Sequence, residues 1–414
     1  MTITTWRLGT LFVFVLLWSL SPARANSVDD IRARGLLRIG TSGDYQPFSL
    51  CTEPNKDCQG FDIDVARHLA ADLGVRLEIV RFRWPELRDD LAAGKFDIAM
   101  SGVTIRPERA LTGTFTRPYV VTKVVAIVAD REKFSSLGGI NQAGVRLAVN
   151  AGGHLEQVAH TQFPQATILS TPRNLSLADQ VEKQEADALL TDSLEAPHFL
   201  AIHPTLYALP AFGRDRKAYL VRRTDSPLRE WLDTWLVAHE KSVLTVLRKR
   251  WFTMEAGSVP PAVTNLLVLM DLRLALMPAV AQYKSQYNLP IEDPAQEATI
   301  LEHAEAQAQG VGLDRTAIRE LFRIQIELAK QVQRATLQGL IPVPAWARGL
   351  DLNTDLRPVL VELGNRIVQE LGSGAVNLPD LQFTLRSVEE EITTAGISAE
   401  AKRQLGEALW RTKK

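Results

Sequence analysis

Near its N-terminus the chain reads Leu36-Leu37-Arg38-Ile39-Gly40-Thr41-Ser42-Gly43-Asp44-Tyr45-Gln46-Pro47-Phe48. Its apolar start, residues 36–40, is typical of a short buried strand, and the stretch from Phe61 to Leu73 has apolar residues at helical spacing. Further strands are predicted at 77–80, 96–100, 123–128, 146–149 and 186–190. This alternation predicts parallel α/β sheets, in which ligand-binding groups gather at the carboxyl ends of strands.

The sequence changes character after Trp251. Gly257-Ser258-Val259-Pro260-Pro261 is typical of a linker, which places a domain boundary near Ser258. Beyond it helical periodicity replaces the strands, and helices are predicted at 263–288, 294–309, 315–337, 356–371 and 399–411. The sequence therefore predicts an α/β region at 28–255, a linker at 256–262 and an all-helical region at 263–414.

The N-terminus has the features of a secretion signal. Arg7 precedes an apolar run from Leu8 to Leu20, and Ala23-Arg24-Ala25 forms a small-x-small cleavage site. The run is shorter than the roughly 20 residues that span a bilayer. We expect a signal peptide at 1–25, cut after Ala25, and a periplasmic or secreted protein without membrane attachment; the alternative is an uncleaved anchor.

Cysteine content and charge agree with export. The two cysteines, Cys51 and Cys58, flank a polar insert, and such a pair in an oxidising compartment is expected to close a local disulfide. No further cysteine or histidine cluster completes a metal site, and no Gly-rich phosphate loop is present, so no metal or organic cofactor is predicted. A net charge of −1 gives no indication of nucleic-acid binding.

The segment at 37–48 resembles the opening of periplasmic solute-binding proteins for polar amino acids. Gly60-Phe61-Asp62-Ile63-Asp64, the stretch from Phe96 to Gly102 and Arg117-Pro118-Tyr119 resemble the same family. The resemblance covers about 28–255 and implies a two-lobed α/β fold with the ligand in the cleft. Lobe one is expected at 28–122 and 214–255, and lobe two at 123–213.

In that family an arginine binds the carboxylate of the ligand. Arg109 is at that position here, and its planar guanidinium suits a bidentate carboxylate pair. Arg106 stands where the family usually has threonine. It is either a solvated loop residue or a second cation for a second carboxylate.

The same region is also similar to the cyclohexadienyl dehydratases, exported enzymes built on the solute-binding fold. The matching stretches are 41–45, 84–85, 101–105, 149–153, 186–196 and 217–220. That family converts prephenate to phenylpyruvate and arogenate to phenylalanine, and Glu195 takes the position of its general acid. Loss of CO₂ and hydroxide aromatises prephenate, so a carboxylic acid kept protonated in a dry cleft suits the reaction. The alternative for Glu195 is a carboxylate that only stabilises a helix N-terminus.

The resemblance assigns further residues to this cleft. Lys123 is expected to hold a carboxylate or orient the leaving group, as a catalytic residue. The pair His154-Leu155 departs from the dehydratase pattern and puts the contacts of its loop in doubt. The expected substrate-binding residues, besides Arg109 and Arg106, are Thr104, Ser101, Asn150, Trp84, Tyr45 and Asp192.

The helical region resembles the exported type of all-helical chorismate mutase, most clearly at 284–293 and 317–332. A mutase holds both carboxylates of chorismate in the reactive conformer and stabilises charge on the breaking ether oxygen, which preorganised cations can do. Arg273 and Lys284 match two family cations, and their spacing of eleven residues puts them on one helix face. Pro278 lies between them and is expected to kink the helix.

Other positions of the helical region follow or leave the mutase pattern. Arg357 matches a third cation, Gln333 lies near the expected ether oxygen, and Glu297 is placed to receive the substrate hydroxyl. Gln296, a predicted substrate contact, replaces an expected arginine, and Ala329 replaces serine or threonine. The alternatives are an ordinary helical domain with surface cations, and a decayed mutase that only dimerises.

Together the two resemblances imply a bifunctional exported enzyme that takes chorismate through prephenate to phenylpyruvate. Its expected partners are small molecules (chorismate, prephenate and arogenate), and a homodimer through the helical region is allowed because related mutases are often dimers. The rival hypothesis is a receptor for an amino acid or dicarboxylate whose helical region serves assembly.

Overall fold

The computed structural model describes residues 28–53, 56–252 and 261–413. The predicted signal peptide and residues 256–260 of the predicted linker lie outside the described residues. The strands are β1 (Leu36–Thr41), β2 (Asp44–Tyr45), β3 (Ser49–Glu53), β4 (Lys56–Gln59), β5 (Arg76–Arg81), β6 (Ile98–Ala99), β7 (Gly113–Phe115), β8 (Val120–Val128), β9 (Arg146–Asn150), β10 (Thr167–Thr171), β11 (Ala188–Asp192), β12 (Tyr207–Ala208), β13 (Phe212–Lys217) and β14 (Leu220–Arg222).

Helices surround both sheets and make up the C-terminal half. They are α1 (Val28–Arg34), α2 (Phe61–Leu73), α3 (Leu87–Ala92), α4 (Pro107–Ala110), α5 (Leu137–Ile140), α6 (His154–Gln162), α7 (Leu177–Glu182), α8 (Ala196–Ile202), α9 (Ser226–His239), α10 (Thr245–Trp251), α11 (Ala262–Ala275), α12 (Met277–Gln286), α13 (Pro294–Gly310), α14 (Arg315–Leu337), α15 (Arg357–Gly372), α16 (Leu381–Glu391) and α17 (Ala399–Arg411).

The first lobe is built on a mixed sheet with the order β5-β1-β6-β14-β7. β1 pairs parallel with β5 and β6, and β14 closes the sheet antiparallel to β6 and β7. Helix α2 covers this sheet with its apolar face and ends at Gly74, whose φ of 70° suits a residue without a Cβ. The α/β alternation predicted from the sequence is confirmed here.

The second lobe is built on a sheet with the order β10-β9-β11-β8-β12, and β13 also pairs with β8. β8 and β13 pair antiparallel and continue past the lobe boundaries expected at 122/123 and 213/214, so these two strands cross between the lobes. The boundaries themselves stay a proposal. The two-lobed α/β fold is observed.

A small sheet of β2, β3 and β4 decorates the first lobe. Cys51 and Cys58 are directly opposite in the β3–β4 pair and form a disulfide, which confirms the predicted bond.

The helical half follows the predicted pattern with two corrections. The segment predicted as one helix at 263–288 is divided at Leu276 into α11 and α12. Pro278, where a kink was predicted, lies in the first turn of α12 and has no N–H to continue the helical hydrogen bonds, so the local disruption is confirmed, although it is a full break. Helix α16 was not predicted; it begins after Asp380, whose carboxylate accepts the Phe383 N–H. The run Ala262–Gln286 is apolar and long enough to span a membrane, but 94% of its most apolar window is buried in the protein, as in a core helix.

The two halves pack against each other. One continuous apolar core contains Phe82 and Phe115 of the first lobe together with Leu266 and Met270 of α11. Beside it, Arg216 of β13 reaches the carboxylates of Glu391 (Nε to Oε2, 2.8 Å) and Asp271 (Nη1 to Oδ2, 3.4 Å). The helical half is thereby fixed to a strand that crosses between the lobes.

Candidate active sites

A cavity of about 30 Å³ lies between the two lobes. Five residues predicted as substrate contacts line it: Tyr45, Trp84, Thr104, Arg109 and Asn150. Four further polar residues, which were not predicted as substrate contacts, also line the cavity: Asn174, His154, Asp215 and Lys217. The cavity wall therefore combines half of the residues predicted for this cleft with a second set of polar residues from lobe two and β13.

Arg109 is buried at the end of the short helix α4. Its Nη1 donates to the Thr104 carbonyl at 3.0 Å, and its guanidinium carbon lies 5.2 Å from the centre of the Trp84 ring. Burial lowers the pKa of Arg109 to about 9, so the group remains charged at neutral pH. Within the described part of the chain no carboxylate is within 4.0 Å of it, so this buried cation is available for an anionic ligand.

Glu195 is buried immediately before helix α8. Its Oε1 accepts from Asn174 Nδ2 at 2.6 Å and its Oε2 interacts with the Thr191 hydroxyl at 2.7 Å, whereas its side chain makes no capping bond to α8. Burial first, and then the charge of Asp192, raise the pKa of Glu195 well above its usual range. A carboxyl in this environment keeps its proton to a higher pH than an ordinary glutamate does, and it can act as an acid.

Glu195 does not itself line the cavity. Asn174, which bonds to it, stands between the carboxyl group and the cavity wall, and also bonds to the Asp44 backbone carbonyl at 3.0 Å across the cleft. Contact between Glu195 and a ligand therefore requires the Asn174 side chain to turn aside, and separation of the lobes would free it from Asp44.

Lys217 is the lysine that the structure places in the cleft. Its buried Nζ lies 2.7 Å from Asp215 Oδ2, 2.9 Å from the Tyr45 hydroxyl and 3.4 Å from Asp192 Oδ2. The Tyr45 hydroxyl also bonds to Asp192, which joins the two lobes. The sequence contained a signal for Lys217, because it opens one of the stretches similar to the dehydratases, at 217–220.

Besides Glu195, four predicted residues do not line the cavity: Asp192, which contacts it only through Tyr45 and Lys217, and Lys123, Ser101 and Arg106. The side chain of Lys123 is exposed, and only its backbone bonds to Ser193. Ser101 is buried among the hydroxyls of Ser42 and Ser49. Arg106 pairs with Glu108 and donates to the Gly153 carbonyl of the other lobe at 3.0 Å, so it is neither solvated nor free for a second carboxylate.

Several polar atoms of the cleft have no partner in the part of the chain that the structure describes. They are buried and comprise Asn150 Oδ1, His154 Nδ1 and Asp215 Oδ1. Burial lowers the pKa of His154 to about 4, so its ring is neutral at pH 7. Unpaired buried polar atoms are costly, and those lining a cleft are suited to a polar ligand.

A second cavity, of about 400 Å³, lies inside the helical half. This volume is in the range of small-molecule sites. All six residues predicted for this site line the cavity: Arg273, Lys284, Gln296, Glu297, Gln333 and Arg357. The break at Leu276 separates the helix that carries Arg273 from the one that carries Lys284.

The cations of this cavity are placed for anions. Burial lowers the pKa of Arg273 to about 10, and its Nη1 is 3.4 Å from the amide oxygen of Gln325. Lys284 Nζ donates to the Ile291 carbonyl at 2.7 Å, and Arg357 Nη1 to Asn353 Oδ1 at 2.8 Å. No carboxylate of residues 28–53, 56–252 or 261–413 is within 4.0 Å of Arg273, Lys284 or Arg357. Three cations without carboxylate partners suit a dianion.

The rest of the wall is mixed. Gln333 directs Nε2 to the Ala329 carbonyl at 3.3 Å, and its buried Oε1 has no partner among the described groups. Ala329 lines the cavity without a hydroxyl. Lys330, which the sequence analysis did not select, adds a fourth cation to the wall.

Comparison with known proteins gives a different relative for each half. The family model of bacterial extracellular solute-binding proteins, family 3, matches residues 37–254, and that of chorismate mutase type II matches residues 264–334. A cyclohexadienyl dehydratase of Pseudomonas aeruginosa is 36% identical over 235 residues, which is 55% of this chain and 87% of that protein.

Other relatives bind amino acids. The L-cystine-binding protein TcyJ of Escherichia coli is 23% identical over 54% of this chain and 85% of its own. The solved structure of an ancestral amino acid-binding protein, AncCDT-1, described as a precursor of cyclohexadienyl dehydratase, has a TM-score of 0.52 and 34% identity, and the match covers 55% of this chain and 99% of that one.

Proposed function

Since the chain belongs to the bacterial extracellular solute-binding proteins of family 3, and its helical region matches chorismate mutase type II, we propose that it is a bifunctional enzyme of aromatic amino acid biosynthesis. The helical half converts chorismate to prephenate. The cleft converts prephenate to phenylpyruvate, or arogenate to phenylalanine. The observation that carries the proposal is Glu195, a buried carboxyl group with a raised pKa that lies behind Asn174 of the cleft, in a chain whose other half has a cation-lined cavity.

The mutase step requires only binding and electrostatics. Arg273, Lys284 and Arg357 bind the two carboxylates of chorismate and hold the side chain over the ring. The Gln333 amide, turned to present its N–H, donates to the ether oxygen as the C–O bond breaks and the new C–C bond forms. No proton leaves or joins the substrate.

The dehydratase step needs one proton. Arg109 binds a carboxylate of prephenate, and Glu195 donates its proton to the ring hydroxyl, which leaves as water. The bond to the ring carboxylate breaks, CO₂ leaves, and its electron pair completes the aromatic ring. Lys217, which is paired with Asp215 and Asp192, provides an ammonium hydrogen-bond donor in the cleft.

The cavity volume indicates that the lobes must open and close. About 30 Å³ holds a few water molecules at most, far less than a prephenate molecule needs. The bonds that join the lobes, Tyr45 to Asp192 and Asn174 to Asp44, are therefore expected to break on substrate entry.

The second candidate is a receptor. Similarity to amino acid-binding proteins favours it, and the Arg109 site would serve either function. Glu195 discriminates between the dehydratase and the receptor, because binding a ligand without reaction does not require a proton donor beside the cleft.

The experiment separates the two functions by supplying each substrate alone. Purified protein given prephenate is expected to form phenylpyruvate, detected by its ultraviolet absorbance, and Glu195→Gln is expected to stop this. Protein given chorismate is expected to consume it, and Arg273→Ala to prevent the loss. Tight prephenate binding without phenylpyruvate would favour the receptor, and untouched chorismate would leave the helical half without mutase activity.

Membership of an extracellular family supports export of the chain. We extend the proposal to cleavage after Ala25 and to a homodimer through the helical half. Mass spectrometry of the protein recovered from the cell exterior tests the cleavage, and sedimentation tests the dimer.

A further inference from the structure

Lys330 of α14 is the cation of the described cavity wall to which the proposed mutase step gives no role. Its side chain is 11% exposed, and its Nζ lies 2.8 Å from Glu297 Oε2 and 3.0 Å from Glu327 Oε1. Glu297 lines the cavity, whereas Glu327 does not. Lys330 is therefore the only one of the four cations in the described cavity wall that is paired with carboxylates.

Glu297 is held from two directions. Lys330 binds its Oε2, and the backbone N–H of Asp293, at the start of α13, donates to its Oε1 at 3.2 Å. An ionised carboxylate only accepts hydrogen bonds, and its two oxygens have about four acceptor sites in all. Glu297 thus offers the cavity a fixed acceptor that repels a carboxylate and suits a hydroxyl donor.

We propose that Lys330 is a positioning residue that holds the Glu297 carboxylate oriented toward a hydroxyl group of the ligand. This inference rests on the proposed mutase function of the same cavity. The Lys330–Glu297 pair then selects cyclic dicarboxylates that carry a hydroxyl, while Arg273, Lys284 and Arg357 bind the two carboxylates. The cations that bind the carboxylates and the glutamate that binds the hydroxyl group therefore lie at different places on the cavity wall.

The alternative is that Lys330 leaves Glu297 and binds a carboxylate of the ligand itself. Two neighbouring carboxylates oppose this, because a departing Lys330 would leave both Glu297 and Glu327 without their cation. The two roles predict different dependence on the ligand hydroxyl, and that difference can be measured.

The test is calorimetric binding of two cyclic dicarboxylates that differ only in one ring hydroxyl, to the full chain. The wild type is expected to bind the hydroxylated compound about 10- to 100-fold more tightly, the range of a hydrogen bond to a charged group. Lys330→Met is expected to remove most of this preference while the affinity for the compound without the hydroxyl changes little. Glu327→Gln, the matched control, removes the other partner of Lys330 and is expected to keep the preference.

Lys330→Arg guards against a variant that fails to fold, since it retains a cation for Glu297 and is expected to keep a measurable preference. If Lys330→Met weakens the binding of both compounds equally, Lys330 binds a carboxylate of the ligand. If the preference for the hydroxylated compound is unchanged, Lys330 does not position Glu297. Either result overturns the inference. If the wild type binds neither compound, the proposed mutase function fails with it. If Lys330→Met loses the preference and the other variants keep it, the result supports both the role of Lys330 and the proposed function of the cavity.

Discussion

The carboxyl group of Glu195 is enclosed by Thr191 and Asn174, and the charge of Asp192 adds to the cost of ionising it. The sequence indicated the position through the stretch at 186–196, but not this environment, because Asn174 lies 21 residues before Glu195 and outside that stretch. The same applies to the cleft lysine. Lys123 lies on β8 and Lys217 on β13, the two strands that cross between the lobes. Which of the two side chains enters the cleft depends on how these strands pair, and the sequence does not show that pairing.

The dehydratase rate is expected to depend on the proton of Glu195. Because its pKa is raised, the rate should fall only as the pH rises through that raised pKa, where the acid loses its proton. Glu195→Gln should lower kcat by about 10²- to 10⁴-fold, since an amide cannot supply the proton. Phenylpyruvate formation measured against pH gives both results, with chorismate consumption by the same variant as the control. A rate that rises through this range of pH would contradict an acid role.

Lys217 is expected to matter more than Lys123. Lys217→Met leaves Asp215 and Asp192 buried without their cation, which should cost about 3–5 kcal/mol of stability or expel them from the cleft, and kcat/KM for prephenate should fall at least 10-fold. Lys123→Met alters an exposed side chain and should change neither stability nor rate appreciably. Steady-state kinetics and thermal unfolding of the two variants decide the matter. If Lys123→Met lost more activity than Lys217→Met, Lys123 would be the catalytic lysine that was predicted from the sequence.

Helices with regular apolar spacing could be predicted closely from the sequence. Phe61–Leu73, Arg315–Leu337 and Ala399–Arg411 have the predicted bounds, since their periodicity and end signals agree. The segment at 263–288 was harder, because it is apolar on all sides, and periodicity alone shows no break. Pro278 was the local signal, and it marks the division between α11 and α12.

The disulfide of the β3–β4 hairpin is expected to stabilise the first lobe. The bond closes a loop with a sequence separation of 7, for which chain entropy gives about 2–3 kcal/mol. Replacing Cys51 and Cys58 with serine should lower the free energy of unfolding by up to this amount, measured by urea denaturation of the double variant. Reductant should then have no further effect on the variant. Equal stability of the wild type with and without the bond would contradict the prediction.

At the scale of the whole molecule, one buried ion cluster joins the halves. Residues 215 and 217 of β13 face the cleft, and Arg216 between them faces Glu391 and Asp271 of the helical half, as the alternation of a strand requires. Asp271 lies two residues before Arg273 on α11. The sequence could predict two modules and a boundary, but not this contact, because it joins residues more than 50 positions apart.

Arg216→Ala is expected to uncouple the two halves. It leaves Glu391 and Asp271 buried with less compensation, which should cost about 3–5 kcal/mol, and calorimetry should then show two unfolding transitions instead of one. Lys402→Ala is the control, because its pair with the exposed Glu389 is worth less than about 1 kcal/mol. Equal effects of the two substitutions would show that the cluster does not hold the halves together.

The central claim, that one chain carries both activities in separate sites, is tested most directly by giving the full chain chorismate alone and following all species by nuclear magnetic resonance. The wild type should form phenylpyruvate, Glu195→Gln should stop at prephenate, and Arg273→Ala should leave chorismate untouched yet still convert added prephenate. Loss of both steps in either folded variant, or no phenylpyruvate from the wild type, would contradict the claim.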